Sequence, residues 1–144
     1  MTEPLAQVRC FLLDMDGTFY LGDRLLEGAL RFIEVLKLQG KDFLFLTNNS
    51  SKHARQYAEK ITRLGLPIPD SKVLTSGEAT ARHLLTARPG ARLFVVGTPA
   101  LEEEFSALGF TLDGDQPDAA VLGFDTTLTY EKLRKLCDFV RADL

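Results

Sequence analysis

The sequence lacks several features that would place the protein in particular functional classes. It contains only two cysteines, Cys10 and Cys137, in 144 residues, and their wide separation favours free buried thiols and a reducing compartment over a disulfide. No apolar run approaches the roughly 20 residues that a bilayer-spanning helix needs, and the N-terminal residues MTEPLAQVR show no charged-then-apolar leader pattern. The net charge of −3 provides no basic excess for binding a nucleic acid. We therefore expect a cytoplasmic protein whose partner is neither a nucleic acid nor a membrane.

What the sequence does contain is an alternation of strand and helix patterns. With 45% hydrophobic and 26% charged residues, the composition is that of a folded globular chain. Short apolar runs at residues 8–13, 42–47, 73–75, 92–96 and 119–124 alternate with segments of helical periodicity. The first run is typical of a strand that is covered on both faces. The alternation predicts an α/β fold built from βαβ units with mainly parallel sheets.

Capping residues and apolar spacing locate the helices more closely. Side chains that can cap a helix stand before four of the helical segments, at Ser50 or Ser51, Ser76, Thr98 and Thr129. In the last segment, the residues spaced to face inward are Leu133, Leu136, Cys137 and Val140. A short strand gives way to a new run of helix and strand near residues 76 and 77, so we place a domain boundary there.

Two carboxylates, Asp14 and Asp16, come directly after the first apolar run, in the stretch FLLDMDGTFYLG. In an extended segment, residues two apart point the same way, so both carboxylates face one small volume. Gly17 lets the backbone turn sharply behind them. Two unpaired carboxylates this close are destabilising, and a divalent cation between them removes the repulsion. Mg²⁺ prefers oxygen ligands, and one carboxylate could then act as a nucleophile and the other as a proton donor.

A second polar segment, Thr47, Asn48 and Asn49, ends the next apolar run. In open parallel sheets, ligands bind beyond the carboxyl ends of the strands, where this segment and the acidic pair both fall. The hydroxyl and amide groups, with the N-terminus of the following helix, offer donors to an anion. Carboxylates with a metal on one side and anion donors on the other predict a phosphate site.

Two other interpretations of the acidic pair are weaker. An EF-hand loop that begins at Asp14 would have glycine at residue 19 and glutamate at residue 25. The sequence has Phe19 and Leu25 instead. A strand-end turn without function would explain Asp16 and Gly17, because Asp-Gly is common in turns. It does not explain the polar segment at the end of the next strand.

These motifs resemble those of the haloacid dehalogenase (HAD) superfamily. LLDMDGTFYLGDRLLEGA resembles its first motif and LFLTNNSSK its second. With VLTSGEATA, VVGTPALEEE and GFDTTLTYEKL, the order resembles the NagD-like branch, which includes p-nitrophenyl, phosphoglycolate and pyridoxal phosphate phosphatases. The resemblance runs from residue 8 to residue 142. It implies part of a doubly wound parallel, Rossmann-like core over residues 1–76, followed by part of an α/β (C2-type) cap domain over residues 77–144.

The resemblance also implies a role for each matched residue. Asp14 would be the nucleophile that forms an aspartyl-phosphate, and its carboxylate would bind Mg²⁺ together with the main-chain carbonyl of Asp16. Asp16 would protonate the leaving oxygen and then deprotonate the attacking water. Thr47, Asn48 and Asn49 would hold the phosphoryl oxygens. The implied function is a Mg²⁺-dependent phosphatase that acts on a small phosphorylated metabolite.

Two family motifs that follow the cap, a lysine and an acidic G-D-x-x-x-x-D segment, do not appear in the sequence. Lys132 and Lys135 lie on the predicted outer, solvated face of the last helix, and Asp113 and Asp115 are typical of a turn. We therefore expect the chain to be the N-terminal part of a longer phosphatase and to be inactive, or nearly so, by itself. The resemblance places the strand of residues 8–13 in the middle of the core sheet, between residues 42–47 and a strand from the later part of the family's chain. Without that later strand its edge is open, which leaves homo-oligomer formation as an option.

Two alternative functions use the same features. The first is a non-catalytic phosphate-binding or regulatory module with a HAD-like fold, which the missing lysine and acid would favour if residues 1–144 are the natural chain. The second is the receiver domain of a two-component regulator, which also uses aspartate and Mg²⁺. A receiver domain carries its phosphorylated aspartate after the third strand, where this chain has Ser76, and this disfavours it.

Overall fold

Strands and helices alternate along residues 5–144, the part of the chain that the computed structural model describes. These residues divide into two units. The first extends up to Thr47 and includes Ala54–Leu74, and the second consists of Asn48–His53 and Thr75–Leu144. The units thus divide between Leu74 and Thr75, and the domain boundary expected at residues 76 and 77 stays a prediction.

The first unit combines a parallel sheet, a hairpin and two helices. Its elements are β1 (Cys10–Asp14), β2 (Tyr20–Leu21), β3 (Arg24–Leu25), α1 (Ala29–Leu38), β4 (Asp42–Thr47), α2 (Ala54–Arg63) and β5 (Val73–Thr75), whose last residue is counted with the second unit. The sheet has the order β1-β4-β5, and β1 and β4 run parallel. The antiparallel pair β2 and β3 has no counterpart among the strands that the sequence predicts.

The core of the first unit lies directly beneath the segment that follows β1. Its largest buried side chains are Met15, Phe19, Tyr20, Ile33, Leu36, Phe43, Phe45, Tyr57, Ile61 and Leu66. Phe45 on β4 is fully buried. Its ring packs edge-to-face with the ring of Phe19, and the two ring centroids are 4.8 Å apart. Aromatic rings prefer such edge-to-face contacts. The loop that carries Asp16 is therefore anchored by apolar burial.

Strand β1 differs from the prediction of a strand covered on both faces. Phe11 and Leu13 pack against the core, but Leu12 is 64% exposed and Cys10 is exposed as well. Within residues 5–144, β1 pairs only with β4 and forms the edge of its sheet. Cys10 and Cys137 are free, as expected, but both are exposed, so the prediction of buried thiols is wrong.

The second unit contains a parallel sheet and three helices. Its elements are α3 (Ser76–Ala87), β6 (Arg92–Val96), α4 (Pro99–Ala107), β7 (Thr111–Leu112), β8 (Ala119–Leu122) and α5 (Tyr130–Arg141). The sheet has the order β7-β6-β8, with both pairs parallel. Its core comprises Ala81, Ala91, Leu93, Val95, Leu101, Phe105 and Phe110. The α/β fold with parallel sheets that the alternating pattern predicts is confirmed.

The helix starts of the second unit agree with the sequence in two cases and differ in one. The hydroxyls of Thr98 and Thr129 accept hydrogen bonds from main-chain N–H groups of α4 and α5, as predicted. Helix α3 is capped by Thr75, which accepts from the Glu78 N–H at 3.0 Å, and Ser76 is already its first helical residue. The extended backbone of Thr75 at the end of β5 places its hydroxyl over the first turn. Within the described part of the chain, every helix is too short or too polar to span a bilayer.

Candidate active site

Asp14 ends β1, and Asp16 follows it in a tight loop. Both residues are exposed, whereas Met15 between them is fully buried. The Gly17 N–H donates to the Tyr20 carbonyl at 2.7 Å, and the Tyr20 N–H donates to the Met15 carbonyl at 3.2 Å. Gly17 has a φ of +80°, a conformation that favours glycine. The buried methionine and the closed loop therefore hold both carboxylates on the outward side of the strand end.

The loop carries a negative potential that acts on a neighbouring side chain. The Tyr20 side chain is buried, and burial raises its pKa to about 12, with smaller contributions from the charges of Asp16, Tyr57 and Asp14. The ammonium of Lys60 lies 4.0 Å from the centre of the Tyr20 ring. The Tyr20 hydroxyl thus stays protonated at neutral pH, so it cannot serve as a general base, and the potential around the two acids favours a cation.

A cavity of about 340 Å³ adjoins Asp14 within the first unit. Its lining includes Thr18, Glu27 and Gly28, the residue before α1. The Thr18 hydroxyl lies 3.4 Å from Asp14 Oδ2, to which it donates a weak hydrogen bond. Two of the lining residues are acidic and none is basic. The cavity therefore suits a cation better than it suits a phosphate group by itself.

The chemistry of these oxygen donors fits magnesium. Mg²⁺ in proteins is typically held by one or two carboxylates and keeps several of its water ligands. Asp14 and Asp16 could supply such a set from adjoining positions of one loop. Among residues 5–144, no three side chains of Asp, Glu, His or Cys gather into a cluster that could hold a metal ion. The two aspartates therefore account for a partial ligand set.

Thr47 lies beside Asp14 at the edge of the first sheet. The parallel register of β1 and β4 pairs Asp14 with Leu46, and Thr47 is the next residue and the last of β4. Neighbouring strands are about 4.8 Å apart. The structure therefore brings these two of the five predicted site residues to the same end of two adjacent strands.

Asn48 and Asn49 continue the chain from Thr47, and both are counted with the second unit. Asn48 is exposed, and its carbonyl accepts a hydrogen bond from the Ser76 hydroxyl at 2.9 Å. Asn49 is half-buried, and its Oδ1 accepts from the Ser51 N–H at 2.9 Å. This local side-chain bond is typical of a turn, and it fixes the orientation of the Asn49 amide.

The serines after this segment do not cap the next helix. Helix α2 begins at Ala54, so the caps predicted at Ser50 or Ser51 are wrong. Ser50 is buried, and its hydroxyl accepts from the Phe124 N–H at 2.8 Å. The Ser51 carbonyl accepts from the Thr98 hydroxyl at 2.8 Å. Both serines have partners that lie far away in the sequence, which no local capping pattern can show.

The sequence prediction of a solvated Lys132 is also wrong. Lys132 Nζ donates to the Gly97 carbonyl at 2.7 Å and to Asp125 Oδ2 at 2.9 Å, and the Asp125 side chain is only 2% exposed. Burial opposes ionisation of Asp125, but hydrogen bonds from Thr127 and Lys132 outweigh it and lower its pKa. The acid precedes α5 by a few residues and the lysine lies in its first turn, a spacing that could have indicated the pair.

The sequence analysis also missed Glu104 on α4. Its side chain is half-buried, and burial raises its pKa to about 6. The Thr75 hydroxyl lies 3.3 Å from Glu104 Oε1 and donates to it. Elsewhere in the second unit, Asp113 forms the predicted turn, because its carboxylate accepts from the Asp115 and Gln116 N–H groups. In the sequence, Glu104 is one of three successive glutamates, and nothing local distinguishes it from the other two.

Comparison with known proteins identifies relatives that match most of this chain. A sequence profile of the family described as haloacid dehalogenase-like hydrolase matches residues 11–111. A 5'-nucleotidase of Bacillus subtilis is 35% identical over 131 residues, which is 91% of this chain and 51% of that protein. The chain thus spans about half the length of the curated relatives that it matches.

Two solved structures show the same likeness in three dimensions. The 4-nitrophenylphosphatase from Thermotoga maritima has a TM-score of 0.93 and 50% identity, over 96% of this chain and 53% of that one. A glycerol phosphate phosphatase from Mycobacterium tuberculosis, solved in complex with magnesium, has a TM-score of 0.86 and 35% identity, over 96% of this chain and 43% of that one. The resemblance inferred from the sequence motifs is confirmed.

Proposed function

Because the chain belongs to the haloacid dehalogenase-like hydrolase family, we propose that the protein is a Mg²⁺-dependent phosphatase that hydrolyses a small phosphorylated metabolite in the cytoplasm. The observation that carries this proposal is the exposed pair Asp14 and Asp16, held by buried Met15 at the sheet edge where Thr47 also ends its strand. The relatives named above include a nucleotidase and two phosphatases, which agrees with a phosphate ester as substrate.

In the proposed mechanism, a carboxylate oxygen of Asp14 attacks the phosphorus atom of the substrate. The bond between phosphorus and the ester oxygen breaks, and an aspartyl-phosphate forms on Asp14. Exposure of Asp14 at the end of β1 leaves its carboxylate accessible for this attack. Mg²⁺ bound by the Asp14 carboxylate and the Asp16 main-chain carbonyl would supply positive charge that offsets the charge of the phosphoryl group.

Asp16 acts as the general acid and then as the general base. Its carboxyl group donates a proton to the departing ester oxygen, and the resulting carboxylate takes a proton from the water that attacks the aspartyl-phosphate. That second step releases inorganic phosphate and restores Asp14. The spacing of two residues, with buried Met15 between them, supports a common orientation of both carboxylates.

Thr47, Asn48 and Asn49 bind the phosphoryl oxygens through hydroxyl and amide donors in this proposal. Phosphoryl transfer depends mainly on positioning and on stabilising negative charge, so such donors accelerate it without taking part in bond changes. The acidic lining of the cavity beside Asp14 supports separate sites for the two charges. The acids attract the cation, and the uncharged hydroxyl and amide groups donate hydrogen bonds to the anion.

The test is hydrolysis of p-nitrophenyl phosphate by the full-length protein in the presence of Mg²⁺. Asp14→Asn should abolish activity, because an amide is a poor nucleophile, and Asp16→Asn should lower the rate about 10²- to 10⁴-fold. Asp23→Asn is the matched control, because the Asp23 side chain is 96% exposed in the hairpin. Substantial activity in Asp14→Asn would show that the aspartyl-phosphate mechanism is wrong.

The alternative is a phosphate-binding or regulatory module that does not turn over substrate. It uses the same anion donors, which begin with Thr47 at the end of β4, and these could hold a phosphate without any turnover. The same assay separates the two functions, since a module would bind inorganic phosphate and show no Mg²⁺-dependent hydrolysis in the full-length protein. We expect residues 1–144 alone to be inactive, and robust activity of that polypeptide would show that it needs no further motif.

A further inference from the structure

The segment Asn48–His53 is held within the second unit by three hydrogen bonds that involve hydroxyl groups. The Ser76 hydroxyl donates to the Asn48 carbonyl at 2.9 Å, and the Thr98 hydroxyl donates to the Ser51 carbonyl at 2.8 Å. The Ser50 hydroxyl accepts from the Phe124 N–H at 2.8 Å. Asn48, Ser50 and Ser51 are thus each bonded to a distant part of the chain.

The three bonds come from separate elements of the second unit. Ser76 begins α3, Thr98 caps α4, and Phe124 follows β8. Each of these positions lies at the start of a helix or just beyond the end of a strand. The segment therefore has its conformation set from three directions, which a single contact could not achieve.

Two of these bonds are shielded from water. Ser50 is 6% exposed and Thr98 is 5% exposed. A Cβ at Gly123 would lie only 2.8 Å from Ser50 Oγ, so the chain leaving β8 approaches Ser50 closely. A buried polar group that loses its partner is destabilised by more than a solvated one, and these bonds therefore resist exchange with water.

The same hydrogen bonds also fix the two asparagines that are predicted to bind phosphate. Asn49 Oδ1 accepts from the Ser51 N–H, and the Ser51 carbonyl is the acceptor for Thr98. Asn48 is bonded through its own carbonyl to Ser76. The orientation of both asparagines thus depends on the hydroxyl of Ser76, 28 residues beyond Asn48, and on that of Thr98, 47 residues beyond Ser51.

We propose that Ser50, Ser76 and Thr98 are positioning residues that hold Asn48 and Asn49 in the conformation that binds the phosphoryl group. The inference rests on the proposed function, in which these two asparagines bind phosphate. It assigns to the second unit a direct part in phosphate affinity, because the segment that carries both asparagines belongs to that unit. None of the three hydroxyls takes part in bond changes.

The test measures binding of inorganic phosphate to the full-length protein with Mg²⁺ by calorimetry, for Ser76→Ala and Ser50→Ala. Each variant should raise the Kd about five-fold, the factor that corresponds to one hydrogen bond between uncharged groups. Ser76→Thr keeps the hydroxyl and should restore the affinity. Thr80→Ala is the matched control, because its hydroxyl donates to the Ser76 carbonyl within the same helix rather than to the segment.

A second readout separates positioning from stability. Amide hydrogen exchange at Phe124 should become faster in Ser50→Ala, because that N–H loses its acceptor. Faster exchange with unchanged phosphate affinity in both alanine variants would overturn the inference, and unchanged exchange would show that the bond does not hold the segment. Wild-type protein that binds no phosphate would overturn both proposals. Undiminished hydrolysis by Asp14→Asn would refute only the proposed mechanism.

Discussion

Replacement of Glu104 by glutamine should make the protein more stable at neutral pH. Glu104 lies half-buried on α4 and accepts a hydrogen bond from the Thr75 hydroxyl at 3.3 Å. Burial raises its pKa from the ordinary 4.5 to about 6, and the nearby charge of Glu78 adds to this effect, whereas the hydrogen bond from Thr75 opposes it. The folded protein therefore favours the uncharged form of this side chain.

The sign and size of the effect follow from the difference between the folded and unfolded pKa values. Between pH 4.5 and about 6 the folded state holds more protons, so the free energy of unfolding falls as the pH rises through this window. The pKa difference of about 1.5 corresponds to about 2 kcal/mol at about 1.4 kcal/mol for each tenfold change in acidity. Since the Glu104 side chain is partly open to water, screening reduces this to about 1 kcal/mol.

The assay is urea denaturation of wild type and Glu104→Gln, followed by circular dichroism, at about pH 4 and about pH 7.5. Glutamine keeps the shape of the side chain and can still accept from Thr75, so the variant should be about 1 kcal/mol more stable than wild type at the higher pH only. Glu103→Gln, an exposed substitution one residue away, is the matched control and should leave the pH dependence unchanged. Lower stability of Glu104→Gln at the higher pH would refute the reasoning.

Three further predictions concern packing and association. Asp125→Ala should lower the free energy of unfolding by about 2 kcal/mol or more, because it leaves the partly buried Lys132 ammonium without its carboxylate, and urea denaturation with Lys132→Met as comparison checks this. Gly77→Ala should cost about 1–3 kcal/mol, because the added Cβ would lie 2.6 Å from Leu101 Cδ1 and even closer to the Glu104 carboxylate; a thermal midpoint equal to that of wild type would contradict the close approach. A polypeptide of residues 1–144 should self-associate through the open edge of β1. Analytical ultracentrifugation checks this, and Leu12→Lys should weaken the association. A monomeric wild-type polypeptide of residues 1–144 would contradict the prediction.

The fold class and the positions of Asp14 and Thr47 at strand ends could be predicted from the sequence because both depend on local patterns. Apolar runs that alternate with helical spacing identify the elements, and the strand order of the structure places the ends of β1 and β4 side by side. Asp14 and Thr47 follow these runs directly, so their meeting at one sheet edge requires only that the two strands be parallel neighbours. The roles of the five site residues stay predictions that the Asp14 and Asp16 variants test.

Helix α5 shows where apolar spacing alone was insufficient. Of the four residues that the spacing placed inward, Leu136 is buried, whereas Leu133 is 43% and Val140 is 62% exposed. Phe139, outside the predicted stripe, packs on Phe94 of β6 with ring centroids 5.1 Å apart. Spacing indicates which residues share a helix face, but the extent of the surface that covers that face depends on other elements.

The sequence by itself determined the alternation of the longer strands and helices, the outward acidic pair and the glycine turn behind it, because neighbours along the chain decide these features. Only the tertiary structure decided which partners the polar side chains have. Ser50 and Phe124 are 74 residues apart, and Thr98 and Ser51 are 47 residues apart. A hydroxyl can bond to main-chain groups nearby in the sequence or far away, and its distant partner depends on which group the fold brings within hydrogen-bond distance.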